Sequence, residues 1–120
     1  MNSWTIYLNR WLKFFYILFF ISLFLFFAPF EDGGREIFPH SDKVAHFSIF
    51  FLMTVSLIFG KLKKNYAIIF CIFYAFFIET IQIFLSYRTG DFFDFLSDIL
   101  GTTIAIFFIF FLEKRVKEHK

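Results

Sequence analysis

Apolar residues run through this chain in four long stretches separated by short polar ones. Phe14 to Phe30, Val44 to Gly60, Tyr66 to Leu85, and Phe92 or Phe95 to Leu112 each suffice to cross about 30 Å of hydrocarbon at 1.5 Å per residue, allowing for tilt and interfacial ends. The pattern predicts an all-α protein: a single integral membrane domain over residues 1–120, built as a four-helix transmembrane bundle with spans near 14–30, 44–60, 66–85 and 95–112. The first stretch has no charge and follows Arg10 and Lys13, as a secretory signal would. Its apolar run exceeds a usual signal core and no small-x-small cleavage site follows, so it reads as a retained anchor. Residues 31–41, with Gly33, Gly34 and Pro39, resist regular structure and read as an external loop.

Composition changes this picture only by strengthening it. With 59% hydrophobic residues and 25 Phe in 120 positions, a soluble domain would carry more apolar surface than its core could hide, and lipid is the natural solvent. The formal net charge is only +2, and the basic residues form short flanking clusters, which excludes a nucleic-acid binder. Arg10, Lys13, Lys61, Lys63, Lys64, Lys114, Arg115, Lys117 and Lys120 fall on one side of the predicted membrane, and Arg35, Lys43 and Arg88 on the other. The positive-inside rule then puts both termini in the cytoplasm, with Trp4 and Trp11 as interfacial anchors on that side. Cys71 stands alone, which excludes an internal disulfide, and in its apolar run it reads as a small inert hydrophobe.

On this topology the polar positions within the spans gather at the outer side: Asp42, Lys43 and His46 at the head of span two, Glu79 and Gln82 late in span three, and Arg88, Asp91, Asp94 and Asp98 at the entry to span four. At 100° per residue Asp42 and His46 share a face, as do Glu79 and Gln82, while Asp91, Asp94 and Asp98 lie within about 60° of one another, with Gly101 and Ala105 continuing the stripe. Small residues there favour close helix approach. Glu79 lies about 9 Å below the end of its helix at 1.5 Å per residue, too deep for a short acid to reach water easily. Such an acid must face a cavity, hold a proton, or pair with Arg88 or His46, and it is a site candidate by default. Span one has no comparable polar stripe and is expected to brace the other three from the periphery.

Each residue has a plainer reading as well. Glu79 serves equally as a structural hydrogen-bonding group, His46 as a partner of Asp42 or a loop carbonyl, and Asp91 or Asp94 as a helix cap. Asp98, a turn deeper, is not explained by capping. Arg88 suits an interfacial anchor or a clamp on carboxylates or a phosphate. Serine and cysteine nucleophile motifs are absent, as is H-E-x-x-H. The metal these residues would suit is a hard divalent cation such as Mg²⁺ bridging carboxylates and a phosphate. Acid/base work by His46 and Glu79 stays open. A proton or ion carrier is disfavoured because the inner halves of the spans lack polar residues to continue a path.

The pieces "DKVAHF" (Asp42 to Phe47), "ETIQIF" (Glu79 to Phe84) and "RTGDFFDFLSDILG" (Arg88 to Gly101) together resemble the VanZ-like family of small bacterial membrane proteins. The resemblance implies Asp42, Lys43, His46, Glu79, Gln82, Arg88, Asp94 and Gly101 as its characteristic positions. This chain departs from the pattern at Asp98, where the family usually has Asn, and at Ala105, where a small glycine is common. It further implies a multi-pass protein of the bacterial cytoplasmic (inner) membrane, with N-in and C-in topology, in cell-envelope biology or susceptibility to teicoplanin, a glycopeptide antibiotic. The leading expectation is an outward-facing polar pocket that binds or modifies an envelope lipid or lipid-linked cell-wall precursor. In it His46 and Glu79 are the acid/base candidates, and Asp42, Lys43, Gln82, Arg88, Asp91, Asp94 and Asp98 the binding candidates. The alternative is a non-catalytic scaffold or partner subunit whose polar residues form a structural interhelical network.

Overall fold

A computed structural model of the chain describes residues 3–27, 41–85 and 92–118, with side chains from Arg10 onward in the first segment and from Lys43 onward in the second. These residues form four α-helices, α1 (Ser3–Phe27), α2 (Ser41–Phe59), α3 (Lys64–Phe84) and α4 (Phe92–Glu118), and no strand. The external loop read at residues 31–41 lies almost wholly outside the described residues, and so do Arg88 and Asp91 and the side chain of Asp42.

Successive helices alternate in direction. At one end the start of α3 meets the end of α4 through Lys64 Nζ and Glu113 Oε2 at 2.7 Å, and Trp11 of α1 packs edge-on against Phe59 of α2 with ring centroids 4.9 Å apart. At the other end Phe26 of α1 stacks on His46 of α2, and Lys43 of α2 reaches Asp94 of α4. Helix α2 packs against all three others, and most extensively against α4. Phe50, Met53, Thr54 and Ser56 of α2 are fully buried as a result.

α1, α3 and α4 are long and apolar enough to cross a membrane, whereas the apolar part of α2, Lys43–Phe59, is shorter. This helix is charged at its head, ends beside Gly60 where the apolar pattern placed it, and is the most enclosed of the four. Two of the helices extend past their apolar stretches. α1 begins at Ser3, ahead of the stretch that opens at Phe14, and its Trp11 and Leu12 pack against the end of α2. α4 continues past Leu112 to Glu118, giving about 40 Å of helix at 1.5 Å per residue. Its last turns carry charge beyond the apolar stretch, with the Arg115 guanidinium 5.6 Å from the Phe111 ring centroid.

The outer faces of α1, α3 and α4 are studded with exposed phenylalanines, among them Phe20, Phe73, Phe76, Phe107 and Phe110. In water such a surface would drive aggregation, and against acyl chains it is neutral. The inner faces carry the small and polar residues.

Candidate functional site

The polar side chains meet at the end of the bundle formed by the C-terminal ends of α1 and α3 and the N-terminal ends of α2 and α4. His46, one turn into α2, puts Nδ1 2.6 Å from Asp98 Oδ1 of α4. Its other nitrogen, Nε2, lies 3.8 Å from Asp94 Oδ2, and Lys43 Nζ closes the group at 3.3 Å from Asp94 Oδ1. One turn of α2 and one turn of α4 thus meet through charged groups across one seam. The seam is tight because Gly101 lies beneath it: a Cβ there would stand 2.4 Å from the carbonyl oxygen of Phe47. Only a residue without a side chain lets the two backbones approach this closely.

His46 is 3% exposed and Asp98 0%, so the pair is removed from solvent, while Lys43 at the rim is partly exposed. The Phe26 ring covers the imidazole in a parallel stack, centroids 4.1 Å apart and planes inclined by 20°. The backbone carbonyl of Phe26 in turn accepts a bond of 2.9 Å from Gln82 Nε2 of α3. Glu79, a turn before Gln82, has both carboxylate oxygens shielded and lies close enough to His46 to act on its charge. Asp98 Oδ2 and Gln82 Oε1 are buried and accept no hydrogen bond among the described residues.

The structure therefore brings Lys43, His46, Glu79, Gln82, Asp94 and Asp98 to one end of the bundle; Arg88, Asp91 and the Asp42 side chain lie outside the described residues. Several local expectations are revised. The partner of His46 is Asp98 of α4. Gln82 bonds to α1 through the Phe26 carbonyl. Asp94, in the first turn of α4, is buried beneath Lys43. Helix α1 is not peripheral, since Phe26 contributes both a ring and a carbonyl. No signal in an unbroken apolar run distinguishes that phenylalanine from its neighbours. Among the described residues no group of three His, Cys, Asp or Glu side chains is placed to hold a metal ion.

Polar contacts also continue toward the opposite end. Thr54 Oγ1 of α2 lies 3.2 Å from Thr102 Oγ1 of α4 and 3.3 Å from Cys71 Sγ of α3. Ser22 of α1 and the Tyr74 hydroxyl of α3 are 2.5 Å apart. The inner halves of the helices are thus less barren than the sequence suggests, although these groups are neutral. Thr102 was within reach of the helical period, standing one turn after Asp98 on the same stripe. A cleft of about 190 Å³ opens between α3 and α4, walled mainly by Ile68, Ile72, Ile99, Ile106 and Phe107.

A carboxylate bonded to one imidazole nitrogen fixes the orientation of the ring and leaves the other nitrogen to exchange a proton with a ligand. The geometry has that form, with Lys43 and Glu79 nearby.

The family model VanZ/LLP1 matches residues 3–113, which takes in all four helices. An uncharacterized protein of the fission yeast Schizosaccharomyces pombe is 34% identical over 110 residues, covering 87% of this chain and 65% of the relative. The chain therefore spans just under two thirds of that relative's length. No solved structure matches the chain significantly. Motif, helix order and the extent of the match agree, and the chain belongs to the VanZ/LLP1 family.

Proposed function

We propose that this membrane protein binds, and acts by acid/base chemistry on, the polar headgroup of an envelope lipid at the His46–Asp98 end of its bundle. The carrying observation is the buried 2.6 Å His46–Asp98 pair, placed in an apolar chain where ionisable groups are costly and are kept for a use. Asp98 would orient the ring, Nε2 of His46 and the carboxylate of Glu79 would exchange the proton, and Lys43 with Arg88 would face an anionic group of the ligand. The apolar cleft between α3 and α4 suits an acyl chain, and Ile99 in its wall adjoins Asp98.

The placement of Lys and Arg supports a reading with this end away from the cytoplasm and both termini inside. In a bacterial host the family likeness extends the reading to the inner membrane, to lipid-linked cell-wall precursors and to teicoplanin susceptibility. A relative in a fission yeast favours a ligand that both kinds of cell contain, a membrane lipid, over a precursor peculiar to bacterial walls. The test is to place His46→Gln, Glu79→Gln and Arg88→Ala in a strain that depends on the gene and compare lipid composition and envelope-antibiotic sensitivity. The reading expects both to change while purified variants remain helical. Unchanged lipids in all three variants would sink it.

One observation favours a second reading, a scaffold whose polar residues specify helix packing: Asp98 is fully enclosed and its pairing partner nearly so. On that reading the same variants lower the melting temperature and leave lipid composition untouched.

A further inference from the structure

Asp98 and Gln82 each use one polar atom and leave another unused. Asp98 Oδ1 faces His46, and Gln82 Nε2 donates to the Phe26 carbonyl. Asp98 Oδ2 and Gln82 Oε1 have no hydrogen-bond donor among the described residues, in side chains 0% and 4% exposed. A buried acceptor without a donor is unfavourable, and an ionised one more so.

The neighbouring donors are already directed elsewhere. Lys43 Nζ lies on Asp94, and Nδ1 of His46 on Asp98 Oδ1. On α4 the Ser97 hydroxyl donates to the Phe93 carbonyl, and Thr102 accepts from Thr54 without reaching Asp98 Oδ2. The two open atoms are a carboxylate oxygen and an amide oxygen, which suits a ligand that brings N–H bonds and, for the carboxylate, a positive charge.

Resting on the lipid-headgroup reading above, we propose that the element recognised here is a protonated primary amine, donating to Asp98 Oδ2 and Gln82 Oε1. The phosphate of such a headgroup stays at the rim with Lys43. A quaternary ammonium carries the same charge without an N–H to give to either oxygen. The enclosure of Asp98 also favours a slender ammonium arm over a trimethylated one.

The purified full chain is equilibrated with an equimolar mixture of phosphatidylethanolamine, phosphatidylcholine and phosphatidylglycerol, and lipid retention is read by native mass spectrometry, with free ethanolamine added in a second series. The expected result is retention of the ethanolamine lipid over the choline lipid by about tenfold, the scale of one charged hydrogen bond. Asp98→Asn and Gln82→Met should each bring that ratio toward one with helical circular dichroism retained. Displacement by free ethanolamine identifies a soluble amine as the ligand, and its failure to displace identifies the lipid. Equal retention of the ethanolamine and choline lipids, or preference for the glycerol lipid, overturns the amine and leaves lipid binding standing. Retention of no lipid, with no effect of ethanolamine, overturns both. If Asp98→Asn does not fold, the wild-type ratio and Gln82→Met still decide.

Discussion

At the scale of single residues, His46 and Asp98 form the contact with the largest consequences. Removing one member of a buried ionic pair strands the other in a medium that solvates it poorly, at a cost of roughly 3–5 kcal/mol. His46→Gln and Asp98→Asn are therefore each expected to lower thermal stability in detergent, and the double variant to lose less than their sum. A coupling energy above about 1 kcal/mol in that cycle is the expected outcome, and additivity would show the pair to be uncoupled. Gly101 has a different role, since a methyl group there meets backbone rather than a movable side chain. Gly101→Ala should force α2 and α4 apart and cost about 1–3 kcal/mol, the usual range for overpacking, as a drop in melting temperature. Both residues were marked by the sequence, but their partners were not. The helical period can place Asp98 on a face, yet it cannot say which helix that face meets.

Among the elements, the junction between α2 and α3 shows how local rules and packing compete. α2 closes with two bonds, Leu62 N–H to the Leu57 carbonyl at 3.1 Å and Lys61 N–H to the Ile58 carbonyl at 3.0 Å, the pattern of a Schellman cap. That cap needs a left-handed residue, and the position is held by Lys61 with φ of 74° although a glycine stands directly before it. Gly60 is required elsewhere: a Cβ there would stand 3.1 Å from Leu12 Cδ2 of α1. Lys61→Gly should relieve the left-handed strain and, after the greater freedom of glycine in the unfolded chain, raise stability by roughly 0.5–1 kcal/mol. Detergent melting curves would show it, and a lower melting temperature would contradict it. Hydropathy marks where a helix can enter lipid and not where it starts: α1 opens at Ser3 and packs Trp11 on Phe59 before its apolar stretch begins.

The whole molecule turns its small and polar side chains inward and its phenylalanines outward. Cys71 reports on that organisation, because it is completely buried where α2, α3 and α4 meet, beside Thr54. In the folded protein a membrane-permeant maleimide should label it at least about tenfold more slowly than after denaturation in sodium dodecyl sulfate, since exchange requires the bundle to open. Rapid labelling of the native protein would mean that the interior is wet and would revive a carrier. Four apolar stretches were enough to predict an all-helical bundle, and the three motif segments were enough to predict the family. The span read at residues 44–60 matches the apolar part of α2, but its enclosure was not legible because it depends on its neighbours.

The sequence by itself determined the class of molecule and which residues stand out: long uncharged runs must lie in lipid, and a few acids, a histidine and a lysine retained among them must be paired or used. Tertiary structure alone decided the pairing. That His46 meets Asp98, that Phe26 covers the ring and binds Gln82, and that Thr54 joins Thr102 and Cys71 follows from the azimuth and depth at which separate helices contact. Helical periodicity fixes angles within one helix, whereas the rotation of one helix against another is set by close packing, here at the Gly101 crossing, and by the low dielectric that makes every unpaired charge seek a partner.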